Sequence, residues 1–126
     1  MAIISFSKDV LVDYVPAYGG NRESDNPCVV RIRFVPYGRV QDYSRLVAAK
    51  AKGLSSNDIS KINEITADIQ KKQFIENVDS VDHFMLDGRE VKDASLFYEY
   101  APKELIYEII RAMEDSAKLS DGQRKN

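Results

Sequence analysis

This chain has little of what most readily betrays a chemistry. It holds one cysteine, Cys28, one histidine, His83, and no tryptophan. A single thiol excludes an intramolecular disulfide and any metal site built from cysteines. Nothing in the sequence requires an oxidising compartment. A lone histidine makes no catalytic pair without a nucleophile beside it. Cys28 lies on the apolar side of an alternating run, where a thiol is expected to be inert packing. No apolar run approaches the roughly 18 residues of a membrane helix. The opening MAIISFSKDV lacks the basic region and long apolar stretch of a leader peptide. A cytoplasmic location, without membrane contact, is therefore expected.

Catalytic motifs are missing too. There is no Gly-rich phosphate loop, no HExxH and no nucleophile elbow. Ser5-Phe6-Ser7-Lys8 spells S-x-x-K, but that motif needs a helix start and here falls in a strand-like run. Asp79, Asp82 and Asp87-Gly88 lack the spacing of a calcium loop. The expectation is a protein that is not an enzyme, with no catalytic residue, cofactor or metal.

The 126 residues are 44% apolar and 30% charged, which suits a single folded domain able to bury its own core. The net charge of −2 is unevenly spread. Met1 to Lys52 carries eight Lys/Arg against five Asp/Glu, and Gly53 to Asn126 carries ten against fifteen. The split favours two halves that attract, within one molecule or between copies; unequal solvated faces are the plainer reading.

The N-terminal third reads as β. Ile3 to Lys8 alternates loosely, and in Val10 to Val15 the residues Val10, Val12 and Tyr14 share a face. Lys8-Asp9 is either a turn between two strands or a bend in one. Pro16 to Pro27 is a long loop, either a mobile connector or a contact loop. Cys28 to Val35 alternates most clearly. Cys28, Val30, Ile32 and Phe34 face one way, and Arg31 and Arg33 share the exposed side. The two arginines either receive carboxylates from the acidic half or form a solubilising edge.

The rest reads as helical. Arg39 to Lys52 carries Val40, Tyr43, Val47 and Ala51 at helical spacing, with Gly53-Leu54 as its stop. Ser55 and Asp58 resemble a capping box, ahead of the stripe Ile59, Ile62, Ile65 and Ile69. Phe74, Ile75 and Val78 resume that stripe with shifted phase, so the helix either bends or turns onto a second partner. Residues 82–91 are a small hairpin around Asp87-Gly88 or a helix end with a loop. Asp93 caps a helix over Ala94 to Tyr100. Pro102 opens another, with Leu105, Ile106, Ile109, Ile110, Met113 and Ala117 buried and Lys103, Glu104, Glu108, Arg111, Glu114 and Lys118 wet. The expected architecture is α+β. A small N-terminal antiparallel sheet packs on a mainly helical C-terminal half, as one domain over residues 1–119 with a disordered tail over 120–126.

A nucleic-acid binder shows a basic excess; Arg31, Arg33, Arg39 and Arg45 with Tyr37 and Tyr43 are too thin a stripe for that. The aromatic density of Phe84, Phe97, Tyr98, Tyr100 and Tyr107 suggests an interaction or self-association face instead. The stretch from Phe74 onward resembles the C-terminal part of the tail assembly chaperones of long-tailed phages and prophages. The resemblance rests on Asp87-Gly88, Leu96, Glu104-Leu105 with Glu108-Ile109, and Leu119-Ser120 through Lys125-Asn126, and covers about half the chain. It implies a non-catalytic role: binding the long helical tape measure protein and helping to recruit tail-tube subunits. The residues expected at the contact surface are Phe97, Tyr98, Tyr100 and Tyr107, with Arg31 and Arg33 for electrostatic docking. A ring-forming virion component of head–tail or tail-terminator type is the alternative.

Overall fold

The computed structural model describes Ile3 and residues 9–115; the expected C-terminal tail lies outside the described residues. The fold is α+β, a small antiparallel sheet against helices that lie mostly in the C-terminal half. Strand β1 (Leu11–Tyr14) pairs with β2 (Val29–Arg33), and β2 pairs with β3 (Val78–Asp82). The sheet is thus not confined to the first 35 residues. Val78, expected to extend a helical stripe, begins β3 instead. β2 is the central strand and not an edge.

The register places Asp13 and Ser80 opposite Arg31, and Leu11 opposite Arg33. Between Ser80 and Val78 the pairing slips, leaving Asp79 as a bulge with no residue opposite it on β2. Val30 and Ile32 are fully buried on the inner face. The alternation then breaks after Arg33: Phe34 is half-buried while Val35 is buried, because the strand has ended and Pro36 caps the next helix.

Helix α1 (Tyr37–Lys50) and helix α2 (Ile59–Asn77) form an antiparallel hairpin between β2 and β3. A 3₁₀ turn, Ser56–Asp58, precedes α2. The Ser55 hydroxyl accepts from Asn57 N, and Asp58 returns a carboxylate oxygen to Ser55 N at 3.0 Å. That satisfies amides which the first turn otherwise leaves unpaired. The isoleucine stripe of α2 is buried only at its C-terminal end: Ile59 is exposed, Ile62 and Ile65 half-buried, Ile69 buried. Beyond it Gln73 and Asn77 take core positions, where their amides are satisfied. Gln73 Nε2 donates to Glu114 at 2.6 Å, and Asn77 Nδ2 donates to Gln73 O and to the Tyr43 hydroxyl. These two amides cause the apparent phase shift of the stripe.

After β3 a two-stranded hairpin, β4 (Met85–Leu86) and β5 (Arg89–Glu90), turns at Asp87-Gly88. Both turn residues have positive φ, 52° and 79°, as a two-residue turn of the twisted hairpin type requires. Helix α3 (Ala94–Tyr100) starts at Asp93, whose carboxylate accepts from Leu96 N. Helix α4 (Lys103–Glu114) starts at Pro102. Its buried side is Leu105, Ile106, Ile109, Ile110 and Met113, as its spacing predicts; Ala117 lies outside the described residues. The core joins Tyr14, Val30 and Ile32 of the sheet to Phe74, Phe97, Ile109 and Met113 of the helices.

Candidate functional site

The expected contact residues do not form one surface. Phe97 is fully buried. Its ring stacks on Phe74, with centroids 5.9 Å apart, and meets Phe84 edge-on at 4.6 Å. It is a core residue, and its expected place on the contact surface is corrected here. Aromatic density in a sequence does not separate the two cases, because the same rings suit a core and an interface.

Arg31 and Arg33 lie on the outer face of the sheet, each with partners inside the chain. Arg31 hydrogen-bonds Asp82 and the Ser80 hydroxyl and lies 3.4 Å from Asp13. The Arg31 bond holds the Asp82 carboxyl below its ordinary range, with Lys92 adding to the effect. Arg33 lies 3.6 Å from Asp9 and donates to the backbone carbonyl of Glu76. Glu76 also gathers Lys72, at 2.8 Å, and Arg39, at 3.7 Å. Arginines of the basic half thus meet carboxylates of the acidic half within one molecule.

Tyr98 and Tyr107 lie within electrostatic reach of each other. Tyr98 is half-buried beside Phe74, with centroids 5.2 Å apart, and Tyr107 is 37% exposed on α4. Burial, then the nearby Tyr107, pushes the Tyr98 hydroxyl pKa up. Each ring has an ammonium group over it: Lys71 Nζ stands 6.0 Å from the Tyr98 ring centre and Lys103 Nζ 5.5 Å from that of Tyr107. Lys103 and Tyr107 are four apart on one helix, a spacing legible in sequence; Lys71 comes from α2, and no sequence signal marks it. Tyr100, 58% exposed, shares α3 with exposed Leu96 four residues before it. It sits about 160° around that helix from Tyr98 and belongs to a different flank.

Pro16, Tyr18, Asn21, Cys28, Phe84, Pro102 and Leu105 line a mostly apolar cleft of about 250 Å³. Its one amide is spent internally: Asn21 bridges Pro16 O, Cys28 O and Cys28 N. Burial, with Asp82 nearby, pushes the Cys28 thiol up to about 11, so it stays protonated at neutral pH. The His83 Nδ1 lies 3.0 Å from Pro27 O, and its backbone N–H donates to Glu90. Among the described residues no cluster of three His, Cys, Asp or Glu side chains is placed to hold a metal ion. No helix among them is long and apolar enough to cross a membrane. Comparison with protein families, curated proteins and solved structures finds no significant match.

Proposed function

We propose that this chain acts by binding and not by catalysis, as an assembly chaperone of the long-tailed phage type. It works in the host cytoplasm, keeps an amphipathic tape measure helix soluble and helps recruit tail-tube subunits. The observation that carries the binding role is two solvent-reaching tyrosines, Tyr98 and Tyr107, each with an ammonium group over its ring, from Lys71 and Lys103. Tyrosines offer broad apolar contact with a polar tip at low conformational cost, which suits a surface that is wet when free and covered when bound. A helix laid across it would present apolar residues at i, i+3 and i+4 to the rings. The phage assignment itself rests on the resemblance in the C-terminal half.

Co-expression with a long helical tape-measure-like protein tests the reading. A soluble complex that elutes together, and is lost in Tyr107→Ala, supports it. A partner that stays insoluble beside the native chain overturns the chaperone role. A complex indifferent to Tyr107→Ala and to Lys103→Glu moves the contact elsewhere.

A further inference from the structure

We propose that the cleft between Tyr18 and Leu105 is a ligand site, taking a small uncharged aromatic of two fused rings. Its walls come from three parts of the chain. Tyr18 and Cys28 belong to the connection between β1 and β2, Phe84 to the link between β3 and β4, and Pro102 and Leu105 to the start of α4. All are described residues. They stand at the ends of β1 and α4 away from Asp9 and Asp115, the limits of the continuous described segment.

The cleft is held open by hydrogen bonds. Glu108 accepts from Ala17 N and Tyr18 N, which fixes the start of the connection to α4. Asn21 pins its two ends together through Pro16 O, Cys28 O and Cys28 N. Arg22 Nε donates to Val15 O at 2.7 Å. Moving the connection inward to fill the space would break these bonds, so the apolar walls stay apart. A preformed apolar cleft of this kind is what small-molecule sites share.

Size and charge define the occupant. A closed apolar cavity of about 150 Å³ holds benzene. The cleft measures about 250 Å³, which leaves room for a second ring. No Asp, Glu, Lys or Arg lines it, so an ion would lose its water without gaining a partner. Both amide hydrogens of Asn21 are already given to carbonyls, and the wall therefore selects by shape more than by polarity. The rings of half-buried Phe84 and of Tyr18, 42% exposed at the mouth, offer faces for an aromatic guest. Covering them removes apolar surface from water. Neither Tyr98 nor Tyr107 lines the cleft, so the site stands or falls separately from the chaperone reading.

Titration of the nitrogen-15-labelled full chain with indole, followed by nuclear magnetic resonance, tests it. The expected result is saturable shifts of the Tyr18, Cys28, Phe84 and Leu105 amides, half complete at roughly 1 mM or below for a ligand of this size. Direct contacts from indole protons to the Leu105 methyls and the Phe84 ring should appear in the native chain, with no variant needed. Tyr18→Ala removes a ring at the mouth and should weaken binding at least about fivefold. Tyr37→Ala removes a ring 75% exposed on α1 and should leave it unchanged. Benzene, which leaves part of the cleft unfilled, should bind more weakly than indole. Shifts that stay linear to about 10 mM, far above the expected midpoint, overturn the proposal. So do contacts centred on other residues, or a Tyr18→Ala chain that binds indole as the native one does.

Discussion

The hydroxyl of Tyr14 donates to the carboxylate of Glu108 over 2.6 Å, joining β1 to α4 across 94 positions of sequence. The same carboxylate accepts from Ala17 N at 2.7 Å and Tyr18 N at 3.1 Å. One side chain thus anchors the first strand and the start of the following 3₁₀ segment, Tyr18–Glu23. Glu108, expected on the wet side of its helix, is half-buried for this reason. Burial, then Glu108, raises the Tyr14 hydroxyl pKa. Removing the carboxylate in Glu108→Ala strands the part-buried Tyr14 hydroxyl and leaves the exposed Ala17 N and Tyr18 N to water, at a cost of roughly 1–3 kcal/mol. Urea unfolding of the single variants and of the double variant with Tyr14→Phe measures it. The double variant should cost less than the sum of the two singles.

Phe97→Ala and Tyr100→Ala separate core from surface. The first opens a cavity beneath Phe74 and Phe84 and should cost about 3–5 kcal/mol. The second removes an exposed ring and should stay within about 0.5 kcal/mol of the native chain. Equal losses of unfolding midpoint would contradict the placement of Phe97.

Acid should weaken the chain through Asp82 and Glu76. Arg31 lowers the carboxyl pKa of the first, and Lys72, then Tyr43, that of the second. A folded pKa below the unfolded value means stability that is full above the unfolded carboxylate range, about 4. It is lost as pH falls through the folded value. Asp82→Asn and Glu76→Gln should each lower stability at pH 7 and flatten its decline below about pH 4. A native chain whose unfolding midpoint holds steady from pH 5 to pH 2 would contradict both.

Cys28 should label slowly. A thiol at about 11 against an ordinary 9.0 presents about a hundredfold less thiolate near pH 8. Maleimide should modify it far more slowly than free cysteine, and denaturant should restore the ordinary rate.

Asp93 should hold the start of α3. Asp93→Ala removes the acceptor for Leu96 N, at a cost of about 1 kcal/mol. Because the seven-residue helix carries Phe97, the loss should appear as faster amide exchange in α3 before global unfolding.

What could be read from sequence was local. Ser55 with Asp58 and Asp93 with Leu96 are capping pairs within three residues, and both form. Asp87-Gly88 makes the hairpin that was one of two readings of its segment. Decisions made at long range were hidden. Val78–Asp82 is a strand because β2 offers it a partner and because a bulge at Asp79 absorbs its broken alternation. Its own five residues carry no clean period. Phe97 is buried by Phe74 and Phe84, which its neighbours in sequence do not reveal. The arrival of Lys71 over the Tyr98 ring depends on α2 meeting α3.

Arg31 and Ser80 face each other across the sheet at a separation of 49 positions, and the whole α1–α2 hairpin lies between them. That hairpin is therefore an excursion from the sheet, anchored at its base and uncovered toward its tip at Gly53. Closing a longer excursion adds only about 0.6 kcal/mol for each doubling of length. Whole helical turns can accordingly be added or removed around Lys52–Gly53 with little cost to the sheet, and the tip is the natural place to graft a tag or a reporter domain.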